Sequence, residues 1–381
     1  MDNIAEARYF CSTLADGADP ILQILIDHFG VVELKEFLLT DSKTYHPFKH
    51  QWLEDKGYSQ AKKHFDQALQ RWQPRIELFK KKNVLLEELE EKYNCSFIYP
   101  EHKWWIKSLE DLHFEAPIGL WHKGEEQSKA VALVGSRAAT DYGKACAFNL
   151  ASGLALEGCS VISGGAYGID TAAHLGALNY EAKTTVVFAN GFGNLYPKGN
   201  YKLFQRILDN GGSWISETHP EVMASKWRFL QRNRLIACLS KMIIVVEAAH
   251  RSGAKNTVNH AYNINRPVGV VPGNITSNMS AGCLEMLKEN PDCYCITGID
   301  DILAVINELP QKIDTVPSTE KFWNNSDELR VLDAMPRDGA FTVTQIAANS
   351  GLSKKSVSFA LKKLSQSSDV INFAELWSKK V

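Results

Sequence analysis

The 381-residue sequence lacks the features that mark membrane and secreted proteins. No apolar run reaches the roughly 20 residues that a membrane-spanning helix needs. The first ten residues carry Asp2 and Glu6 and have no basic segment followed by an apolar stretch, which argues against a secretory signal. We therefore expect a cytoplasmic protein with no membrane partner.

The eight cysteines include no C-x-x-C pair, so zinc sites and thioredoxin-like redox motifs are not expected. Cys293 and Cys295 are the only close pair, and their spacing fits two positions on the same face of a strand. We predict reduced, mostly buried thiols and no bound metal.

The sequence also has little excess charge. Its net charge is −2, with 45% hydrophobic and 23% charged residues, which is ordinary for a globular protein. Any contact with nucleic acid must therefore come from a local basic patch. The length indicates about two or three domains.

Residues 1–85 have the apolar spacing of helices and no strand alternation. Ile21, Leu22, Leu25 and Ile26 mark one helix face, and Gly30 ends that helix. We predict a small helical domain of the SAM or helix-hairpin-helix type.

Residues 86–307 are predicted to form an α/β core. A mixed connector between Asn83 and Gly124 has room for a short strand or two, and the regular rhythm begins at Ala130. Short runs rich in Val and Ile alternate with helix-like segments, as in a buried parallel sheet. We therefore expect an extended Rossmann-like, doubly wound, mostly parallel sheet. The runs are Val131–Gly135, Ser160–Ser163, Thr184–Ala189, Ser213–Ser216, Met242–Glu247 and Pro267–Val271.

Residues 308–325 carry two prolines and no regular period, so they are predicted to be a linker. Residues 326–381 then follow the outline of a winged-helix domain: helix, short strand, two helices and a terminal hairpin. Thr344 is the predicted cap of the second of these helices. The third helix carries Lys354, Lys355, Lys362 and Lys363.

Two turns after predicted strands have the composition of an anion site, and such sites collect at the carboxyl ends of strands. In Gly135-Ser136-Arg137, the glycine admits a close backbone, the serine can hydrogen bond and the arginine can bind a phosphate. The alternative is an ordinary turn with a solvated arginine. Neither a dinucleotide G-x-G-x-x-G fingerprint nor an ATP-binding P-loop is present, and no cofactor is predicted.

The second turn is Ser163-Gly164-Gly165, whose adjacent glycines permit a concave nest of backbone N–H groups. A flexible turn without a ligand is the alternative. On the helix that follows, we interpret Asp170 as a helix cap and His174 as a packed or hydrogen-bonded histidine rather than as an acid–base pair.

The segment from Lys226 to Arg234 is basic and aromatic, and no acidic residue occurs between positions 222 and 246. Lys226, Arg232 and Arg234 would attract phosphates and Phe229 would stack on a base, with Asn233 between the arginines. A solvated helix face is the alternative.

A third turn follows the fifth predicted strand. Ser252, Gly253 and Thr257 would complete an anion pocket at the start of a helix. Glu247, at the end of that strand, is interpreted as a carboxylate that caps turn amides rather than as a catalytic group.

Taken together, these motifs resemble the DprA/Smf (DNA-processing protein A) family. The resemblance covers roughly residues 94–306 and is carried by Gly135-Ser136-Arg137, 163–170 with His174, Tyr196-Pro197, Ser216-Glu217, 229–234, 246–248, Ser252-Gly253 and Pro272-Gly273. It implies single-stranded DNA binding by Arg137, the glycine turns, Lys226, Phe229 and the triplet 232–234.

The resemblance further implies a homodimer without enzymatic activity that protects single-stranded DNA and promotes loading of a RecA-type recombinase, in recombination or in DNA transformation. Three alternatives stay open. The chain would be a DprA-like component of a phage-defence or toxin–antitoxin system, a LOG-like nucleotide phosphoribohydrolase, or a binder of duplex DNA through its winged helix. The LOG signature Pro-Gly-Gly-x-Gly-Thr is missing from residues 272–276.

Overall fold

The structure is a computed structural model of the 381-residue chain. It describes residues 3–40, 61–82, 84–125, 130–250, 252–308, 327–328, 330–332, 334–335, 340–366, 370–373 and 376–379. The predicted linker, apart from residue 308, lies outside the described residues.

The chain forms two compact units. The first comprises Met1–Ala224 and Gln231–Pro310, and the second comprises Ser225–Leu230 and Gln311–Val381. The predicted domain limits at residues 85, 307 and 325 stay predictions.

Helices dominate the start of the first unit, as predicted. Gly30, with φ 85°, ends the second helix, and the Asp19 side chain caps the start of that helix by accepting from the Leu22 N–H at 3.3 Å. Among residues 3–40, 61–82 and 84–95, the helices are α1 (Asn3–Leu14), α2 (Pro20–Phe29), α3 (Val31–Leu39), α4 (Ala61–Lys82) and α5 (Leu86–Tyr93).

A nine-stranded sheet forms the centre of the first unit, in the order β1-β2-β6-β5-β4-β3-β7-β8-β9. Strands β3 to β9 pair in parallel, whereas β1 pairs with β2, and β2 with β6, in antiparallel fashion. The strands are β1 (Ser96–Ile98), β2 (Leu120–Gly124), β3 (Ala130–Gly135), β4 (Ser160–Ser163), β5 (Thr184–Phe188), β6 (Ser213–Ser216), β7 (Ile243–Glu247), β8 (Val268–Val270) and β9 (Tyr294–Cys295).

The crossover helices are α6 (Asp141–Leu156), α7 (Ile169–Leu178), α8 (Tyr201–Asp209), α9 (Lys226–Cys238), α10 (Ala254–Asn263) and α11 (Ala281–Glu289), and α12 (Ile299–Glu308) follows the last strand of the sheet. Short 3₁₀ helices occupy Lys107–Glu115, Phe192–Asn194 and Lys198–Asn200.

Alternate side chains of the central strand β3 enter different hydrophobic clusters. Val131 and Leu133 pack with Leu150 and Leu154 of α6, whereas Ala132 and Val134 pack in the cluster that contains Leu235 of α9. Both faces of the sheet are therefore covered, and strands β3 to β8 are buried at nearly every position. This confirms the predicted mixed α/β fold with a mostly parallel central sheet and N-terminal helices.

The N-terminal helices share a core with one side of this sheet. Tyr9 of α1 lies 6.0 Å from the Phe97 ring and 6.1 Å from the Trp121 ring, both in edge-on geometry. Leu86 and Leu89 of α5 belong to the same buried cluster.

The second unit contains α13 (Val343–Ser350), α14 (Lys354–Gln366) and a three-stranded antiparallel sheet in the order β10-β12-β11. Its strands are β10 (Phe341–Thr342), β11 (Val370–Phe373) and β12 (Leu376–Lys379). The prediction that Thr344 caps α13 was wrong. Thr342 is the cap, because its side chain and that of Gln345 form a reciprocal capping box.

Candidate nucleic-acid interface

The candidate site lies where the strand order reverses. The chain runs from β3 outward through β4, β5 and β6, and then returns to place β7 on the other side of β3. Ligands of open α/β sheets bind at the carboxyl ends of the strands at such a reversal. The turn Gly135-Ser136-Arg137 leaves β3 at this point, and Arg137 is exposed there.

This first turn is held closely against β7. The Ser136 N–H donates to the Glu247 carbonyl at 2.7 Å, and a Cβ at position 135 would lie 2.7 Å from the same oxygen. Gly135 is therefore needed for the close approach of two backbones.

The carboxylate of Glu247 fixes the entry into α6. It accepts from the Thr140 N–H at 2.8 Å and from the Thr140 hydroxyl at 2.6 Å. A Cβ at Gly143 would lie 2.6 Å from this carboxylate. The interpretation of Glu247 as a structural carboxylate that caps turn amides agrees with these contacts.

The second turn forms the predicted nest, and the chain itself supplies the anion. The N–H groups of Gly164 and Ala166 both donate to one carboxylate oxygen of Asp170, at 3.1 and 3.2 Å. Asp170 therefore binds the preceding turn, and the prediction that it caps its own helix was wrong: Gly168 is the N-cap of α7 and makes no side-chain capping bond. Ser163 is fully buried, and its hydroxyl donates to the Leu133 carbonyl at 2.6 Å.

The first two turns are joined to each other. The Ile169 N–H donates to the Ser136 carbonyl at 3.1 Å. Gly168 adopts φ 80°, and a Cβ there would overlap the same carbonyl. The side-chain amide of Asn200 then ties the second turn to the β5 loop, donating to Gly165 at 2.9 Å. Three neighbouring loops thus form one connected edge.

Arg232 lies beneath the second turn and is almost completely buried. Its guanidinium donates to the carbonyl of Gly164 at 2.9 Å and also to the carbonyl of Val187. Burial lowers the pKa of Arg232 to about 10, although the nearby Asp170 carboxylate opposes this. Burial likewise raises the pKa of Asp170, against the effect of Arg232.

The exposed Arg137 belongs to the same electrostatic group. Its charge lowers the pKa of Arg232 and that of Asp170, so it acts on both buried partners.

Arg234 is also interior. It has no exposed surface, and its guanidinium pairs with Glu217, the residue that follows β6, at 2.6 Å. Asn233, between the two arginines, donates to the Asn256 side chain at 3.1 Å and accepts from Arg232 at 3.2 Å. In this structure the side chains of all three residues 232–234 form hydrogen bonds within the protein.

Lys226 and Phe229 lie in the first turns of α9 and belong to the second unit. Lys226 is exposed and Phe229 is half-buried.

The third turn is mixed in exposure. Ser252 is half-buried, and its hydroxyl accepts from the Ala254 N–H at 3.2 Å. Gly253 is exposed, with open space where a Cβ would stand, whereas Thr257 is buried. The turn therefore presents backbone rather than the Thr257 hydroxyl.

His174 is a packed histidine, as predicted. Its Nδ1 lies 2.8 Å from the Thr184 hydroxyl, which itself donates to the Val161 carbonyl at 2.7 Å. Nδ1 must therefore carry the proton and donate, which leaves the buried Nε2 without a hydrogen-bond partner. Burial lowers the pKa of His174 to about 3.

Two kinds of residue at this edge were missed by the sequence reasoning. Asn200 was not singled out, and no local pattern marks it. Exposed tyrosines at the same edge, Tyr142 and Tyr167 among them, were not assigned a role, although aromatic residues next to glycines and prolines are a recognisable signal.

Within the described ranges no group of three or more His, Cys, Asp or Glu residues has the arrangement to hold a metal ion. No described helix has the length and apolar character to cross a membrane.

The fold and this edge define a Rossmann-like α/β protein with glycine turns and an exposed arginine at the carboxyl ends of its strands. The family described as DNA recombination-mediator protein A matches residues 96–307, and the chain belongs to this family.

Relatives named DNA processing protein DprA or Protein Smf are found in several bacteria. A Mycobacterium tuberculosis relative is 41% identical over 244 residues, which are 62% of this chain and 62% of the relative. DNA processing protein DprA of Streptococcus pneumoniae (strain ATCC BAA-255 / R6) is 37% identical over 194 residues, covering 50% of this chain and 67% of that protein. The chain thus spans less than two thirds of the length of the Mycobacterium relative.

Two solved structures are similar as well. DNA processing protein A from Streptococcus pneumoniae superposes with a TM-score of 0.59 at 26% identity, covering 82% of this chain and 99% of that one. A Helicobacter pylori structure is described as showing the single-stranded DNA binding mode of DNA processing protein A. It superposes with a TM-score of 0.50 at 29% identity, covering 57% of this chain and 98% of that one.

Proposed function

We propose that this protein binds single-stranded DNA at the connected edge and has no catalytic role. The observation that carries the proposal is the position of Arg137. It is exposed at the reversal of strand order, on a turn whose backbone is held by Glu247 and Ile169. A guanidinium on a rigid turn can bind a phosphate with little loss of conformational freedom.

Within this proposal, direct contacts and supporting contacts are different residues. In the first unit, Arg137, Ser136 and the backbone of Gly253 contact the DNA. In the second unit, Lys226 offers a charge for phosphates and Phe229 an aromatic face for a base. The other residues of the predicted site support the loops. Ser163, Arg232, Arg234 and Thr257 do so with buried side chains and Asn233 with a half-buried one. Gly135, Gly164 and Gly165 leave no room for a Cβ, so their neighbours pack closely against them.

The biological role that we propose is protection of single-stranded DNA and loading of a RecA-type recombinase by a homodimer, in recombination or transformation. Family membership supports this role, since the family is described as DNA recombination-mediator protein A.

We also propose that the second unit is a winged helix. A short strand, two helices and a terminal hairpin whose strands pair with the first strand in one antiparallel sheet support this fold. Its exposed Lys354, Lys355 and Lys362 would suit the phosphates of duplex DNA.

The test is a fluorescence anisotropy titration with a labelled single-stranded oligonucleotide. Wild type should bind with an affinity that falls as salt rises. The variant Arg137→Ala combined with Lys226→Ala should bind at least about tenfold more weakly and lose part of the salt dependence.

Lys241→Ala is the matched control, because Lys241 is exposed at the opposite edge of the sheet, where its N–H donates to the Ala130 carbonyl. Unchanged binding by the double variant, with the fold intact by circular dichroism, would contradict the assigned site. Absence of single-strand binding by wild type would contradict the proposed function.

A further inference from the structure

Four exposed tyrosines stand near the carboxyl ends of three strands. Tyr167 and Tyr196 lie in the loops after β4 and β5, and Tyr142 and Tyr201 lie in the first turns of α6 and α8, which follow β3 and β5. In chain order these four residues are 52%, 50%, 46% and 54% exposed. Strands β3, β4 and β5 are neighbours in the sheet. We call these residues the edge tyrosines.

The segments that carry the edge tyrosines are fixed to one another. The Tyr142 hydroxyl donates to the Pro272 carbonyl at 2.8 Å. The Tyr167 hydroxyl lies against Gly199, where a Cβ would stand 2.5 Å from it. Asn200, between Gly199 and Tyr201, donates to the Gly165 carbonyl of the Tyr167 loop. The rings are thus exposed without being on independent loops.

Positive charge is interleaved with these rings. Arg137 lies in the turn before Tyr142, and Lys198 and Lys202 flank Tyr201, all of them exposed. Most carboxylates of the same region are paired or buried. Glu221 pairs with Lys92 and Lys82, Glu217 pairs with Arg234, and Asp170 and Glu247 are buried. Asp141 is the exception, since its side chain is fully exposed and pairs with the exposed Lys144 at 3.3 Å.

We propose that the edge tyrosines form a stacking row for the bases of a single-stranded nucleic acid, with Arg137 and Lys198 on its phosphates. This inference rests on the proposed function and extends it from phosphate contacts to base contacts. Rings interleaved with cations are suited to a strand that offers both base faces and phosphates. In a duplex the base faces are already stacked, so the occupant is a single strand.

The experiment compares two oligonucleotides of equal length in the full chain: oligothymidine, and a strand of abasic sites with the same phosphates. The variant is Tyr167→Ala combined with Tyr196→Ala. Loss of stacking should weaken binding to oligothymidine by about tenfold or more. Binding to the abasic strand should not change, because only the phosphate contacts operate there.

Tyr180→Ala is the matched control. Tyr180 is also 50% exposed, but it follows the C-terminal end of α7, outside the three loops. The Tyr180→Ala variant should bind oligothymidine and the abasic strand as wild type does. Tyr167→Phe with Tyr196→Phe, which retains the rings, should restore binding to oligothymidine.

The outcomes separate this inference from the proposed function. If the alanine variant binds oligothymidine as wild type does, while Arg137→Ala weakens it, the stacking row is wrong and the DNA site stands. An equal loss on both strands would also overturn stacking. If wild type binds neither strand, the proposed function itself fails.

Discussion

The turn after β3 and the second half of α9 both carry arginines, and they use them in opposite ways. Arg137 is exposed on its turn, whereas Arg232 is almost completely buried and Arg234 completely so. The buried pair hold loops in place through Gly164, Val187 and Glu217. A basic segment in a sequence therefore does not by itself indicate a basic surface.

The largest expected effect is on the buried side of this comparison. Arg234→Ala leaves the partly buried Glu217 without its partner. Breaking a buried ion pair from one side typically costs about 3–5 kcal/mol in the free energy of unfolding. Urea denaturation followed by circular dichroism should show that loss.

The double variant Arg234→Leu with Glu217→Leu serves as the control, since it removes both charges at once. It should recover a substantial part of the lost stability. A single variant as stable as wild type would contradict a structural role for Arg234.

A smaller effect is expected at Gly164. A Cβ there would overlap the Arg232 guanidinium, which would have to leave its two carbonyl acceptors. Gly164→Ala should therefore cost about 1–3 kcal/mol, as overpacking of a buried position usually does. Gly253→Ala is the control in thermal unfolding, because open space surrounds that position, and its stability should change little.

The charge of Arg232 also bears on His174, whose pKa burial and Arg232 together lower from 6.5 to about 3. The unfolded chain binds this proton below pH 6.5 and the folded chain does not, so stability is lost as pH falls from 6.5 toward 3. The slope from this group is about 1.4 kcal/mol per pH unit.

His174→Asn can still donate to Thr184 but does not titrate, so its stability should fall less steeply with acid. Urea midpoints at several pH values between 4.5 and 7 measure this. Identical slopes would exclude His174 as a source of acid sensitivity. Burial also lowers the pKa of His260, to about 4, so His260 adds to the loss of stability in acid equally in wild type and in the variant.

The sheet could be predicted from the sequence because its signal is local. Strands β4 and β6 have the predicted bounds, and the other predicted strands differ only at their ends, since apolar runs between turns define them directly. The N-terminal helices and the stop at Gly30 were predicted for the same reason.

Side-chain partners could not be predicted in this way. Asp170 caps the preceding turn instead of its own helix because two amides of that turn converge on it, a contact that only the folded backbone creates. Likewise, the spacing of Arg232 and Arg234 indicates a helix but not that both guanidinium groups find acceptors on other strands and loops.

The smallest expected effect on stability lies at Arg137, on the exposed side of the comparison. Arg137→Ala should change the free energy of unfolding by no more than about 0.5 kcal/mol, as is usual for surface substitutions. Its removal should nevertheless weaken binding of a labelled single strand, because a phosphate contact is lost. Thermal unfolding and anisotropy titration on the same preparation measure both quantities. A loss of stability comparable to that of Arg234→Ala would place Arg137 among the structural arginines. If the free energy of unfolding stays constant while the affinity for the single strand falls, the arginines have two separate roles. Arg232 and Arg234 hold the loops in place, and Arg137 contacts the ligand.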